Sequence, residues 1–282
     1  MKSVVVTGAS TGIGLGVVKV LIQNGYRVFG SVRKQADAER LKANFGDAFT
    51  PLIFDVTDEA AVQAAAEQVR SELGGETLFG LVNNAGVATP APIMHQPIAD
   101  FRSQMEINLV GQLIVSQAFI PLLGADRTLS GKPGRIVNMS SVSGKRGSPF
   151  VGAYVASKHA LEGLSETMRI ELMLYGIDVI IVGPGAVATP IWDKAEQVDL
   201  TPYQNSDYLE AAVKLQKFLV EDGRKGYPPE KVGEVVLRAL TATRPRVRYS
   251  VVPNALKNWV IPSLLPKRLM DLILAKALGF KK

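Results

Sequence analysis

The chain has 282 residues, 47% of them hydrophobic and 21% charged, with a net charge of +6 and no cysteine. That length and balance suit one α/β domain with ample apolar material for a core, and the missing thiols exclude disulfides, thiolate metal sites and cysteine nucleophiles. The charge is uneven: residues 244–282 hold nine basic residues against Asp271, leaving 23 basic and 25 acidic residues elsewhere, which argues against a basic body built for nucleic acid.

In chain order, short Val/Ile-rich runs alternate with longer segments of helical period. Strands are predicted at 3–7, 26–32, 49–55, 78–83, 135–140, 178–182 and 249–252, and helices at 12–24, 37–44, 58–73, 98–123, 152–174 and 229–242. Strands without polar alternation are expected where helices cover both faces of a sheet. The order therefore predicts an α/β, doubly wound (Rossmann-type), mostly parallel seven-stranded sheet with helices on both faces. One domain over 1–282 is expected. The first strand starts almost at once, leaving no room for a signal peptide, and no apolar run is long enough for a spanning helix, so a cytoplasmic location is expected.

Two stretches break the rhythm. Residues 190–228 are long and rich in aromatics, which marks a substrate loop or lid. Residues 253–282 form a Pro-punctuated amphipathic tail, with a helix expected over 267–282 and Lys267, Arg268, Asp271 and Lys276 on its polar side. This tail could cover a pocket, pack on a second subunit, or rest on an anionic membrane surface, packing or an oligomer contact being favoured.

Between the first strand and helix lies Thr7-Gly8-Ala9-Ser10-Thr11-Gly12-Ile13-Gly14. Glycines here let backbone N–H groups approach a pyrophosphate, and the helix N-terminus adds a favourable dipole. The spacing G-x-x-x-G-x-G departs from the G-x-G-x-x-G fingerprint, and a tight strand-to-helix connection is the bland alternative. The second strand ends in Arg33-Lys34, with no acid before Asp37. An arginine there suits a 2′-phosphate, so NADP(H) is expected in preference to NAD(H), although a solvated loop-edge arginine would look the same.

Tyr154 and Lys158 are four apart in a predicted helix and share one face. A nearby ammonium favours the phenolate, lowering a tyrosine pKa otherwise near 10. Tyr227 and Lys231 repeat the spacing, but Pro228-Pro229 keeps that tyrosine out of a helix. Ser141, at a strand end, could donate to a carbonyl oxygen; Ser140 and Ser143 are rivals that the residues alone do not separate. His159 and His95 are the only histidines, so no metal cluster is expected.

Taken together, Thr7–Gly14, Asp55-Val56, Asn83-Asn84-Ala85-Gly86, Asn108, Ser141, Tyr154-x-x-x-Lys158 and Pro184-Gly185-Ala186-Val187-Ala188-Thr189 resemble the one-domain branch of the short-chain dehydrogenase/reductase family. The resemblance implies an oxidoreductase moving hydride between NADP(H) and an alcohol or carbonyl. It makes Ser141, Tyr154 and Lys158 catalytic, with Asn108 holding a water in a proton relay on a helix kinked there. Gly8, Ser10, Thr11, Gly12, Ile13 and Gly14 would hold the pyrophosphate, and Asp55 and Val56 the adenine. Asn83, Ala85 and Gly86 would support the middle of the cofactor, and Pro184, Gly185, Val187 and Thr189 its nicotinamide end, with Tyr154 and Lys158 also touching it. Asn83 could equally stabilise the central sheet, and Asn108 could be a buried, satisfied amide.

The tail from Arg248-Tyr249-Ser250 onward is similar to the C-terminus of retinol and hydroxysteroid dehydrogenases. That implies a small hydrophobic alcohol or carbonyl substrate, bounded by Ser141, Ser143, Phe150, Tyr154 and Trp192. Family members commonly form homodimers or homotetramers. The alternative function is a non-catalytic dinucleotide-binding regulator, which predicts loss of the tyrosine or lysine; both are present. An epimerase or dehydratase would carry a different glycine spacing and a larger C-terminal domain.

Overall fold

The computed structural model describes residues 1–280; Lys281 and Lys282, at the end of the predicted tail helix, lie outside the described residues. Seven strands form one parallel sheet in the order β3-β2-β1-β4-β5-β6-β7. They are β1 (Ser3–Val6), β2 (Arg27–Val32), β3 (Phe49–Ile53), β4 (Gly80–Asn83), β5 (Arg135–Met139), β6 (Asp178–Pro184) and β7 (Arg248–Val251). The order reverses between β1 and β4, which opens a crevice at their carboxyl ends.

Alternation along each strand divides the core between the two faces. On one face Val4, Val6, Val28 and Val137 meet α1 (Gly12–Gln23), α2 (Gln35–Phe45) and α9 (Pro229–Thr241). On the other, Val5, Phe29, Leu81 and Ile136 meet α3 (Glu59–Leu73), α5 (Gly111–Phe119) and α6 (Gly152–Glu171). At the crossing of α1 and α9, a Cβ on Gly233 would stand 2.8 Å from the Gly16 carbonyl oxygen. Glycine on both helices is what brings them so close, and it fixes the direction of α1.

The predicted 98–123 helix is not continuous. It consists of α4 (Ile98–Met105), a π-turn over Glu106–Val110 and α5, ending in a 3₁₀ turn at Pro121–Leu123. Asn108 sits inside the π-turn. Residues 190–228 are also more ordered than a loop: α7 (Ile191–Glu196) and α8 (Leu209–Arg224) pack together. Arg224 of α8 reaches Asp193 (3.1 Å) and Glu196 (2.6 Å) of α7. The base of this excursion is closed where Ala188 N–H donates to Tyr227 O (2.8 Å) and Tyr227 N–H to Ala186 O (3.1 Å).

The tail contains a π-turn at Leu256–Val260, then α10 (Ile261–Leu264) and α11 (Lys267–Leu278). Leu278 is buried with Phe150, Ala211 and Ala212, so α11 lies against α8. Lys276 does not join a polar side: at 100° per residue it falls among Leu269, Leu272 and Ile273, which are exposed. No helix among the described residues is long and apolar enough to cross a membrane.

Candidate active site

The glycine-rich turn leads from β1 into α1. Gly8 (φ 66°) and Gly12 (φ 58°) are left-handed, and a Cβ on Gly14 would collide with the Gly8 carbonyl. Thr11 starts α1 without a side-chain cap, and no acid lies in the first turn, so the positive end of the helix dipole faces the crevice unneutralised. Thr7 Oγ accepts from the N–H groups of Asn84 (2.9 Å) and Ala85 (3.0 Å), and the Asn84 amide donates to the Thr7 carbonyl (2.9 Å). Across the turn, Thr189 comes within 3.5 Å of where a Gly12 Cβ would lie. A close-approach backbone beside an open helix N-terminus is what a pyrophosphate requires, and these residues fit a dinucleotide.

At the other end of the crevice, Gly8 N–H donates to Ser31 Oγ of β2 (3.1 Å). Arg33 follows β2 with its side chain 69% exposed and Nη1 3.7 Å from Asp55 Oδ2. Burial raises the Asp55 pKa, but hydrogen bonds from Thr57 and the Arg33 charge outweigh it and hold the carboxyl below its usual range. Val56 is buried and packs where Gly111 leaves no room for a side chain. Arg40 of α2, which the motif reading missed, donates to the Ser10 carbonyl (2.9 Å) and to Asp37 (2.7 Å). Ser10, Gly12 and Ile13 are half-buried, and Thr11 is exposed.

Tyr154, Ser141 and Lys158 meet at the carboxyl end of β5. Tyr154 lies in the first turn of α6 and makes a hydrogen bond with the Ser141 side chain. Burial pushes the Tyr154 phenol up, and that hydrogen bond acts against the rise without cancelling it. Lys158 is 4% exposed, and burial brings its ammonium down to about 8. Its Nζ donates to the Met139 carbonyl (2.8 Å) and stands 5.7 Å from the Tyr154 ring centre. Burial, and not the neighbouring ammonium, sets the direction of the phenol's shift. An ammonium has three donors, so Lys158 has capacity beyond the Met139 carbonyl. Ser143 is half-buried and turns its N–H to Ser141 Oγ (3.1 Å).

The segment after β4 connects this trio to the glycine turn. A Cβ on Gly8 would be 3.0 Å from Ala85 Cα, and one on Gly86 would be 3.6 Å from Lys158 Nζ. Asn108 is fully buried; its amide accepts from Val87 N–H and donates to Val87 O (both 2.8 Å) and to Ser157 Oγ (3.0 Å). The side chain of Asn108 is therefore committed to the protein, bracing the loop after Gly86 against α6. Asn83 is likewise enclosed, and its amide nitrogen bridges to Asn138 and Ser116 (2.9 Å each). These bonds tie β4 to β5 and to α5. Pro184 O lies 3.5 Å from Ser141 Oγ, Gly185 follows it, and Val187 is buried.

Phe150 has φ 62°, a left-handed geometry rare for an aromatic residue. Its carbonyl accepts from Ala91 N–H (2.7 Å). Its ring lines an apolar cavity of about 50 Å³ with Pro90, Leu200, Tyr203, Ala212 and Leu215. Phe280 of the tail stands 6.4 Å from the Phe150 ring and 6.5 Å from Tyr208. Trp192 does not line this cavity: its indole N–H donates to Val187 O (2.6 Å), and its ring fills the space that a Gly223 side chain would take. Trp192 pins α8 to the loop after β6. His159 is exposed on α6 and bonded to Val155 O, and no metal-binding group of His and acidic residues occurs among the described residues.

Comparisons with known proteins identify the family. A bacterial NADPH-dependent 3-dehydrocapnine reductase from Ornithobacterium rhinotracheale is 38% identical over 99% of this chain and 98% of its own length. Retinol dehydrogenase 16 of Mus musculus is 32% identical, covering 97% of this chain and 87% of its own. A short-chain dehydrogenase structure from Streptomyces avermitilis superposes with a TM-score of 0.77 at 24% identity, covering 100% of this chain and 98% of the other, a likeness of fold. The family model described as short chain dehydrogenase matches residues 2–199, the span that contains the turn, the trio and the loops between them. The chain belongs to the short-chain dehydrogenase family and is an oxidoreductase acting on alcohol or carbonyl groups.

Proposed function

We propose that the protein uses NADPH to reduce a hydrophobic ketone or aldehyde. The observation that carries this reading is the continuous path from Gly8 through Ala85 and Gly86 to Lys158, which sets Tyr154 and Ser141 beside the place where a dinucleotide resting on α1 would end. When bound, NADPH supplies hydride to the carbonyl carbon. Tyr154 O–H donates its proton to the carbonyl oxygen, and Ser141 Oγ donates a hydrogen bond to the same oxygen as negative charge builds on it. Lys158 would hold the ribose hydroxyls and would stabilise the phenolate that remains. A phenol raised by burial stays protonated at neutral pH, which suits a proton donor and so the reductive direction.

Arg33 and Arg40 supply the basis for NADPH over NADH. Both lie near the second strand's end of the crevice, one exposed and one reaching Ser10, where a 2′-phosphate would add two negative charges. The relative named as NADPH-dependent supports the cofactor, and the relative named for retinol, a molecule with a long hydrocarbon part, supports an apolar substrate. The cavity at Phe150 is far below the ~300 Å³ of small-molecule sites, so admitting such a ligand requires the residues around it to move apart.

The test is NADPH consumption across steroids, retinoids, aliphatic ketones and sugars. Apolar ketones should be reduced, and Tyr154→Phe should lower kcat at least 10²-fold while NADPH still binds. A preference for sugars would overturn the substrate class, and undiminished turnover by Tyr154→Phe would overturn the mechanism.

A further inference from the structure

We infer that Arg248 and Glu162 form a positioning pair that holds the Ser141 backbone, and with it the Ser141 hydroxyl, in place for the reaction; this rests on the oxidoreductase reading above. Glu162 stands four residues beyond Lys158 and eight beyond Tyr154, on the same side of α6. Its side chain is 3% exposed. Oε1 accepts from Ser140 Oγ (2.8 Å) and Arg248 Nε (3.0 Å), and Oε2 accepts from Arg248 Nε (3.1 Å) and pairs with Lys145 Nζ (3.0 Å).

Arg248, at the start of β7, extends this contact to the reacting end. Its Nη2 donates to the Ser141 carbonyl (3.1 Å), its Nη1 to Ser250 Oγ (2.5 Å), and its guanidinium lies 5.0 Å from the centre of the Trp259 ring. β5 ends at Met139, so the Ser141 carbonyl is past the ladder, and its other bond comes from Gly144 N–H (3.0 Å). Two glycines make the space: a Cβ on Gly183 would collide with the Arg248 guanidinium, and one on Gly144 would come 2.8 Å from Glu162 Oε1. One carboxylate thus holds Ser140 directly and Ser141 through a guanidinium that points two ways at once. A lysine, a single point charge, lacks that fork.

The pair joins residues 86 apart in sequence and touches neither the crevice turn nor the cavity at Phe150, so its loss should appear in kcat and not in cofactor affinity. The experiment compares Arg248→Lys, Arg248→Met, Glu162→Gln and the double variant Glu162→Gln/Arg248→Met with the wild type. NADPH affinity is read by fluorescence, stability by thermal melting, and kcat and KM with a ketone that the wild type reduces. Each single variant should lose at least tenfold in kcat with NADPH affinity within twofold. The double variant, which buries no lone charge, should regain the melting temperature but not kcat. Recovery of kcat in the double variant or in Arg248→Lys, or a loss of NADPH affinity that parallels the loss of kcat, would reduce the pair to structural support and overturn the inference. A wild-type chain that binds NADPH and reduces no ketone would instead overturn the proposed ketone-reductase function, and this inference with it.

Discussion

At Lys158, stability and chemistry oppose each other. Burial lowers its pKa from 10.5 to about 8, so the folded state binds fewer protons than the unfolded state between those values. Stability therefore rises with pH through that window, and below pH 8 the buried ammonium is a full penalty. Lys158→Met should melt higher than wild type at pH 7, by on the order of 3 kcal/mol, with the gap closing by pH 10.5, while losing at least 10²-fold in activity. Parallel melts and rate assays from pH 6 to 10.5 check this; a variant less stable at pH 7 would mean that the bond to Met139 outweighs the desolvation. At the cofactor's far end, Arg33→Asp should raise KM for NADPH at least tenfold with little effect on NADH, measured by steady-state kinetics with both.

Elements carry these residues, and they differ in how readable they are. Tyr154 and Lys158 were legible because a helix repeats every 3.6 residues, so a spacing of four is itself a statement about direction. Glu162 has the same periodic advantage, yet an acid on a helix reads as solvated until Arg248 arrives from another strand. Trp192 looked like a ligand contact because aromatic residues line pockets; only Gly223, from a different helix, reveals that the indole fastens α8. The sheet was readable from its unbroken apolar runs. The π-turn was legible only through the family resemblance, which put a kink at Asn108, since one surplus residue leaves the apolar period nearly intact. Packing of α1 on α9 was also hidden, because an isolated glycine does not name its neighbour. Gly233→Ala should push α9 off the Gly16 carbonyl and cost roughly 1–3 kcal/mol; thermal melting checks it, and an NADPH affinity that falls with it would show that α9 sets the aim of α1.

For the whole molecule, the excursion over 188–226 and the tail close on one another at Phe150. Leu278 and Phe280 cover α8 there, so of the three roles considered for the tail, covering the cavity fits its inner face. Removing residues 267–282 should lower the melting temperature and raise KM for an apolar ketone several-fold, with NADPH affinity unchanged. A second apolar surface is exposed elsewhere. Ile170, Met173 and Leu174, at the end of α6 and just after it, are 63%, 70% and 70% exposed, and α6 follows the fifth strand. A homodimer or homotetramer formed there predicts that Ile170→Glu/Met173→Glu halves the particle mass in light scattering; an unchanged mass would move the interface elsewhere.

The π-turn at Glu106–Val110 has a genetic corollary. A π-turn is an α-helix holding one residue too many, so deleting a single codon there would leave a smoother helix. The turn takes up that residue locally, so the helix on either side would keep nearly its present facing, but the Asn108 amide, set by the turn, could no longer meet both the Val87 backbone and Ser157. Such a shortened chain would be expected to fold around an intact sheet while letting the strip beside Lys158 drift. Insertions and deletions in this stretch should therefore be poorly tolerated in a selection for activity and far better tolerated in one for solubility.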